Sequence, residues 1–305
     1  MADQENYSER TDQAHRLRQL VLQRDSDELH ASGSTHVIAV TSGKGGVGKT
    51  FLAVNLSIAL AARNHRVILF DMDMGLANAD IVLGVQPNFT WNDVLKGRRS
   101  LDDIMVQGPG QIAFVPASSG IAHMADLSEF ERYQLRLAMH QIECRYDVVI
   151  LDCGAGISQN VVGFASSADT VLVTATPEPT AITDAYAMIK TFAVDPAGNI
   201  YNCSGSSSIG VLVNQAESRR EGCETYERLA QVAARFLHLP VSDFGYILRD
   251  DHVSAAVRQR CPVILRYPRC SASTCLMAVA GKLAHELGQP ESSKSLFYRV
   301  MNMFL

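Results

Sequence analysis

Residues 41–50 read TSGKGGVGKT. Gly43, Gly48, Lys49 and Thr50 satisfy the spacing G-x-x-x-x-G-K-[ST], and each residue type has a task in holding a polyphosphate. The glycines let the backbone N–H groups of the stretch Gly43, Lys44, Gly45, Gly46, Val47 and Gly48 turn toward phosphate oxygens. Lys49 adds charge at the β- and γ-phosphates, and Thr50 offers its hydroxyl to Mg²⁺. From Thr50 and Phe51 onward an amphipathic helix points its positive end at the same anion. The bland alternative is a Gly-rich turn that matches by accident. The β-branched apolar run before the loop (HVIAVTS) and the helix after it argue against that. Lys44 is a second lysine, more than a phosphate loop needs.

Two further stretches carry acids. LFDMDMG ends an apolar run with Asp71 and Asp73, and VVILDCGAG ends another with Asp152, followed by Gly154 and Gly156. Ligands of open α/β sheets bind beyond the carboxyl ends of the strands, so these acids are expected to converge on the loop. A carboxylate beside a triphosphate repels it unless it acts through Mg²⁺ or a polarised water. Thr50, Asp71 and Asp152 are therefore the expected magnesium side, and Asp73 the residue that positions the attacking water. The alternative is that each aspartate caps the helix after it. Asn214, at the end of IGVLVNQ, can offer its amide to an adenine edge or can serve as a cap. ATP and Mg²⁺ are the expected ligands.

These residues must be held by strands. Apolar runs recur at 36–42, 66–71, 112–117, 146–152, 170–176, 209–215 and 244–248, with helical stretches between most of them. Fully apolar strands alternating with helices predict a single three-layer α/β domain of the P-loop NTPase kind. Its mostly parallel twisted sheet would be covered by helices on both faces. The expected division is an amino-terminal helix and tether over 1–35, an ATPase domain over 36–290 and a tail over 291–305. The 305 residues carry a net charge of −5, too acidic to attract nucleic acid as a whole. The seven cysteines (144, 153, 203, 223, 261, 270 and 275) form no Cys-x-x-Cys pair. That argues against a zinc ribbon or an iron–sulfur scaffold, and free thiols point to a reducing compartment. Neither a signal peptide nor a run long enough to span a membrane is evident.

The combination KGGVGKT, DMDMG and DCGAG resembles the deviant-Walker-A ATPases of the MinD/ParA type. The resemblance covers roughly residues 36–290. It implies that Lys44 crosses a homodimer interface and reaches the phosphates of the partner's nucleotide, as an arginine finger does elsewhere. Lys44, Lys49 and Asp73 are then the expected catalytic set. DMGLANADIVLG and PEPTAITDAYAMIK narrow the resemblance to the FlhG/FleN flagellar-number regulators, and DQAHRLR (12–18) is similar to their amino-terminal signature. There the helix docks on an FlhF-type GTPase, which makes Asp12, Gln13, Ala14, Leu17 and Arg18 the expected partner contacts. A flagellar master transcription activator is a further expected partner. Two departures stand out: Cys153 and Gly154 replace a usual Thr and Ala. Arg249 also precedes Asp250 where a Pro is common.

Wound as a helix, SLFYRVMNMFL gathers Leu296, Phe297, Val300, Met301, Phe304 and Leu305 on one arc, with Lys294 and Arg299 as its only charges. That pattern suits an anionic membrane surface, so a cytoplasmic protein peripheral at the inner membrane in its ATP state is expected. The alternative is a last helix packed on the core. The rival functions are a MinD-type division-site regulator and a ParA-type DNA partition protein.

Overall fold

The computed structural model describes residues 35–73, 78–117, 128–193 and 208–287. Asp12, Gln13, Ala14, Leu17 and Arg18 lie outside them, as do Leu296, Phe297, Val300, Met301, Phe304 and Leu305.

All seven apolar runs form strands: β1 (His36–Ser42), β2 (Val67–Met72), β4 (Ala113–Val115), β5 (Val148–Ala155), β6 (Thr170–Ala175), β7 (Ser208–Ala216) and β8 (Ser242–Leu248). An eighth, β3 (Val106–Gln107), is a two-residue edge strand with no apolar run to announce it. The sheet order is β3-β4-β2-β5-β1-β6-β7-β8, with every pairing parallel except β3 with β4. A parallel sheet must be covered on both faces, which is why its strands read as continuous apolar runs.

Side-chain parity decides what each face carries. Ile38, Val40, Val67, Leu69, Val148 and Ile150 pack with helix α1 (Lys49–Ala61) on one face. Val37, Ala39, Ile68, Phe70, Val149 and Leu151 look to the other. There they meet α5 (Glu129–Arg145), α7 (Pro179–Ala193) and α8 (Arg219–Leu237). Counting on by twos, Asp71 and Asp152 fall on the α1 face. They are also register neighbours on adjacent strands.

Helix α1 (KTFLAVNLSIALA) is apolar nearly all round and is correspondingly buried. Its buried Asn55 and Ser57 are paired within the fold. Asn55 donates to the Phe51 carbonyl at 2.8 Å and accepts from the Ile264 N–H at 3.2 Å, and Ser57 donates to the Ala53 carbonyl at 2.7 Å. Among the described residues no helix is long and apolar enough to cross a membrane.

Candidate functional site: a phosphate loop over a buried carboxylate

The loop runs from the end of β1 into α1, and α1 begins without a side-chain cap. Several helices here close their first turn with their own side chains. Ser100 with Asp103, and Ser128 with Glu131, form reciprocal capping boxes. The residue before α1 is Gly48, which offers no side-chain cap, and the first turn holds no acid. Its leading N–H groups are left to an external anion, and the helix dipole favours one there.

Two glycines are fixed by space. Gly48 has φ 94°, and a Cβ on it would overlap the Asn214 amide nitrogen. A Cβ on Gly43 would overlap the Asp184 carbonyl of α7. Gly45 and Gly46 form the exposed tip, Val47 is buried beneath it, and Phe51 packs half-buried against the α1-face core. Asn214 donates its amide to the Val47 carbonyl at 2.8 Å and accepts the Gln215 N–H at 2.9 Å. Asn214, expected against adenine or as a cap, braces the phosphate loop through its side chain. The loop after β5 is tied in as well, since the Gly156 N–H donates to the Ser42 carbonyl at 2.9 Å.

The acids beneath the loop divide into two kinds. Asp71 is buried, and its oxygens accept the backbone N–H groups of Asp73 (3.0 Å) and Ala79 (3.3 Å). Burial pushes its carboxyl up to about 6, those two donors partly offsetting it. Both carboxylate oxygens of Asp71, expected on the magnesium side, thus already accept from Asp73 just after β2 and from Ala79 at the start of α2 (Ala79–Leu83).

Asp152 is the opposite case. It is 1% exposed, and neither carboxylate oxygen has a hydrogen-bond partner of good geometry. The Thr50 hydroxyl stands beside it, close enough to ease the burial. Burial pushes the Asp152 carboxyl up to about 8, and Asp71 adds to that, while Thr50 and Lys49 oppose it. Lys49 is buried too; burial lowers its pKa, and Asp152 and Asp73 pull it back up. A buried carboxylate left without donors is costly unless something binds it. A hard oxygen pair next to a threonine hydroxyl and below a phosphate loop has the donor chemistry that Mg²⁺ takes. The residues present therefore fit that ion, with Asp152 and Thr50 as its protein side.

Asp73 ends half-exposed, across from Gly154, whose position for a Cβ lies 3.7 Å from Asp73 Oδ1. An alanine Cβ at position 154 would sit 3.3 Å from Val161 Cγ2, tight enough that Val161 would have to give by a few tenths of an ångström. Lys44 does not point at these acids. Its ammonium donates to Glu178 Oε2 at 3.2 Å and to Thr180 Oγ1 at 3.1 Å, and its side chain is 41% exposed. Sequence reasoning had not singled out Glu178 and Thr180 as site residues, although both lie in the stretch PEPTAITDAYAMIK that carries the family resemblance.

A family model described as an AAA domain matches residues 35–195. The antiactivator FleN of Pseudomonas aeruginosa is 42% identical over 254 residues, covering 82% of this chain and 88% of that protein. The flagellum site-determining protein YlxH of Helicobacter pylori is 31% identical over 276 residues, covering 88% of this chain and 90% of its own. Among solved structures, the septum site-determining protein MinD of Pyrococcus horikoshii, complexed with Mg-ADP, matches with a TM-score of 0.65. That match covers 85% of this chain and 99% of the other at 22% identity, a likeness of fold.

Proposed function

The chain belongs to the FleN/FlhG branch of the MinD/ParA-type P-loop ATPases, and on that footing we propose that it is an ATP-driven dimerising switch controlling flagellar number or placement. It is an ATPase that binds nucleotide and Mg²⁺; that ATP drives dimerisation is the proposed step. The reading rests most on one observation: the signature lysine is exposed and held off its own acids, while everything else needed to grip a phosphate lies within one chain.

The uncapped start of α1 and the loop amides hold the phosphates, and Lys49 adds charge from below. Bound Mg²⁺ would supply positive charge against the β- and γ-oxygens, with Asp152 and Thr50 as its protein ligands. Asp73 orients the attacking water as its carboxylate accepts a hydrogen bond from it. Asn214 keeps Val47, and with it the loop, in place. Lys44 then leaves Glu178 and Thr180 and crosses to the partner's nucleotide, where an ammonium stabilises charge that builds as the γ-phosphoryl group departs. Ile157, a large apolar side chain left 56% exposed just beyond Gly156, suits burial in such a dimer.

The remaining proposals follow the family resemblance. Residues 1–35 activate an FlhF-type GTPase through Gln13, and a flagellar master transcription activator is a second partner. Residues 36–290 form the ATPase domain. Residues 291–305 bind anionic lipid when ATP-driven pairing presents two tails at once, which places the protein peripherally at the inner membrane. Light scattering tests the core of the reading. The native protein should double in mass with Mg-ATP and not with Mg-ADP. Lys44→Ala should bind nucleotide within a few-fold of native, stay monomeric and lose turnover. An ATP dimer with native turnover in Lys44→Ala would sink the reading.

A further inference from the structure

Away from the phosphate loop, three side chains from two chain segments meet where β8 hands over to α9 (Asp251–Arg258) and where α11 (Ser271–Glu286) begins. Asp250 precedes α9, His252 lies in its first turn and Cys270 precedes α11. One ligand atom from each lies within 4.8 Å of the other two. His252 Nδ1 and Asp250 Oδ1 are 2.7 Å apart. We propose that Asp250, His252 and Cys270 form a binding site for a zinc-class divalent metal ion, with its fourth position open to water.

The donor set selects the ion. One carboxylate oxygen, one imidazole nitrogen and one sulfur match the ligands of tetrahedral zinc, whereas Mg²⁺ and Ca²⁺ take oxygen. A carboxylate and a thiolate together cancel the charge of a divalent ion. Zinc bond lengths of about 2.0–2.3 Å imply ligand-to-ligand separations of about 3.3–3.8 Å in a tetrahedron. The Asp250–His252 pair must therefore open by roughly half an ångström, and the widest pair must close by no more than about 1.5 Å. Side-chain rotation covers such shifts.

The surroundings already orient the ligands as a metal site requires. The Ala272 N–H donates to Asp250 Oδ2 at 3.2 Å, and the His252 N–H donates to Oδ1 at 3.0 Å. The Ser273 N–H points at the Cys270 sulfur at 3.4 Å. Tyr267 packs its ring on the His252 imidazole, centroids 4.7 Å apart. Tyr267 is itself held by Gln259 through its hydroxyl and by Ser273 through its carbonyl. A bound ion would staple the α9 segment to the start of α11, closing the excursion of chain between Asp250 and Cys270.

Without metal the same groups form a hydrogen-bonded double cap, and titration separates the two cases. Co²⁺ is titrated into the reduced full-length protein with Mg²⁺ in excess, to keep cobalt out of the phosphate-loop site. One equivalent should bind with a sulfur-to-cobalt charge-transfer band, and Zn²⁺ should displace it. Cys270→Ser retains a good helix cap, and His252→Ala alters an exposed position. Each should weaken binding by at least about 100-fold, because even outer-shell partners of a metal are worth 10–100-fold. Cys275→Ser, five residues along, should titrate as native. The proposal is overturned if native protein shows no stoichiometric sulfur band, or if the band survives intact in both Cys270→Ser and His252→Ala.

Discussion

Asp152→Asn should make the nucleotide-free protein more stable and the enzyme inactive. Asp152 is held in the core with its carboxylate oxygens unsatisfied and with Asp71 as its register neighbour. Its carboxyl is pushed up from an ordinary 3.8 to about 8. A carboxyl whose folded pKa is raised destabilises the fold increasingly as pH climbs from the unfolded value toward the folded one. At pH 7 about three units of that interval have been crossed, a ceiling of about 4 kcal/mol at roughly 1.4 kcal/mol per unit. Relaxation of the loop and entry of water lower the real cost, and a buried Asn amide keeps part of the burial penalty. The variant should therefore gain about 1–2 kcal/mol at pH 7, or roughly 2–8 °C in Tm for a domain of this size. The gain should shrink toward zero only below about pH 3, where the native carboxyl is protonated in the folded and the unfolded state alike. Mg-nucleotide should raise the native Tm and leave the variant's almost unmoved, because the variant lacks the charge that holds the ion. Thermal melts in chelator at several pH values, with and without Mg-nucleotide, measure all of this. A nucleotide-free variant less stable than native, or one that gains native-sized stabilisation from Mg-nucleotide, would refute the assignment.

The other expectations are more local. Gly48→Ala should lose nucleotide binding by about 100-fold or more, since its φ of 94° is strained for alanine and its Cβ would strike the Asn214 amide; calorimetric titration with Mg-ADP would show native affinity if the loop simply adapts. Deleting residues 294–305 should abolish ATP-dependent sedimentation with anionic liposomes while leaving turnover and the melting profile in place. Loss of the fold on that deletion would mean instead that the tail packs on the core. A peptide of residues 12–24 should accelerate hydrolysis by an FlhF-type GTPase, and its Gln13→Ala form should bind but accelerate poorly. An inert native peptide would remove the GTPase partner.

What could be read ahead of the structure follows from the range of the forces involved. The phosphate loop was legible because its geometry is local: the six residues of turn from Gly43 to Gly48 and one helix start, each constrained by backbone chemistry. The strands were legible because a sheet buried on both faces demands continuous apolar runs. The two-residue β3 escaped, since it buries too little to leave a pattern. Asp71 and Asp152 look alike in sequence, each ending an apolar strand before a short acidic or glycine-rich turn. What separates them is where nearby N–H groups point. The Asp73 and Ala79 N–H groups donate to Asp71, while beyond Asp152 the Gly156 N–H donates to Ser42 instead. That difference rests on the path of the following residues, which no periodicity encodes.

The cysteines make the same point from the other direction. Their spacing argued against metal because metal ribbons place ligands two residues apart on one turn. Cys270 finds its companions across a fold contact, at Asp250 and His252, twenty and eighteen residues away by chain but within a few ångströms in space. Spacing rules detect sites built by one loop; a site built where two helices begin is visible only once the sheet has brought those beginnings together. The phosphate site is itself of mixed kind. Its loop belongs to one segment, but its brace, its buried acid and the holder of its second lysine come from β7, β5 and the start of α7. Those three residues, Asn214, Asp152 and Glu178, decide respectively whether the loop keeps its shape, whether an ion is needed to relieve the core, and when Lys44 is free to leave. In the proposed mechanism nucleotide binding, metal binding and dimerisation thus depend on two strands and the start of one helix, and a substitution at any of the three should impair one of those steps while sparing the fold that supports the others.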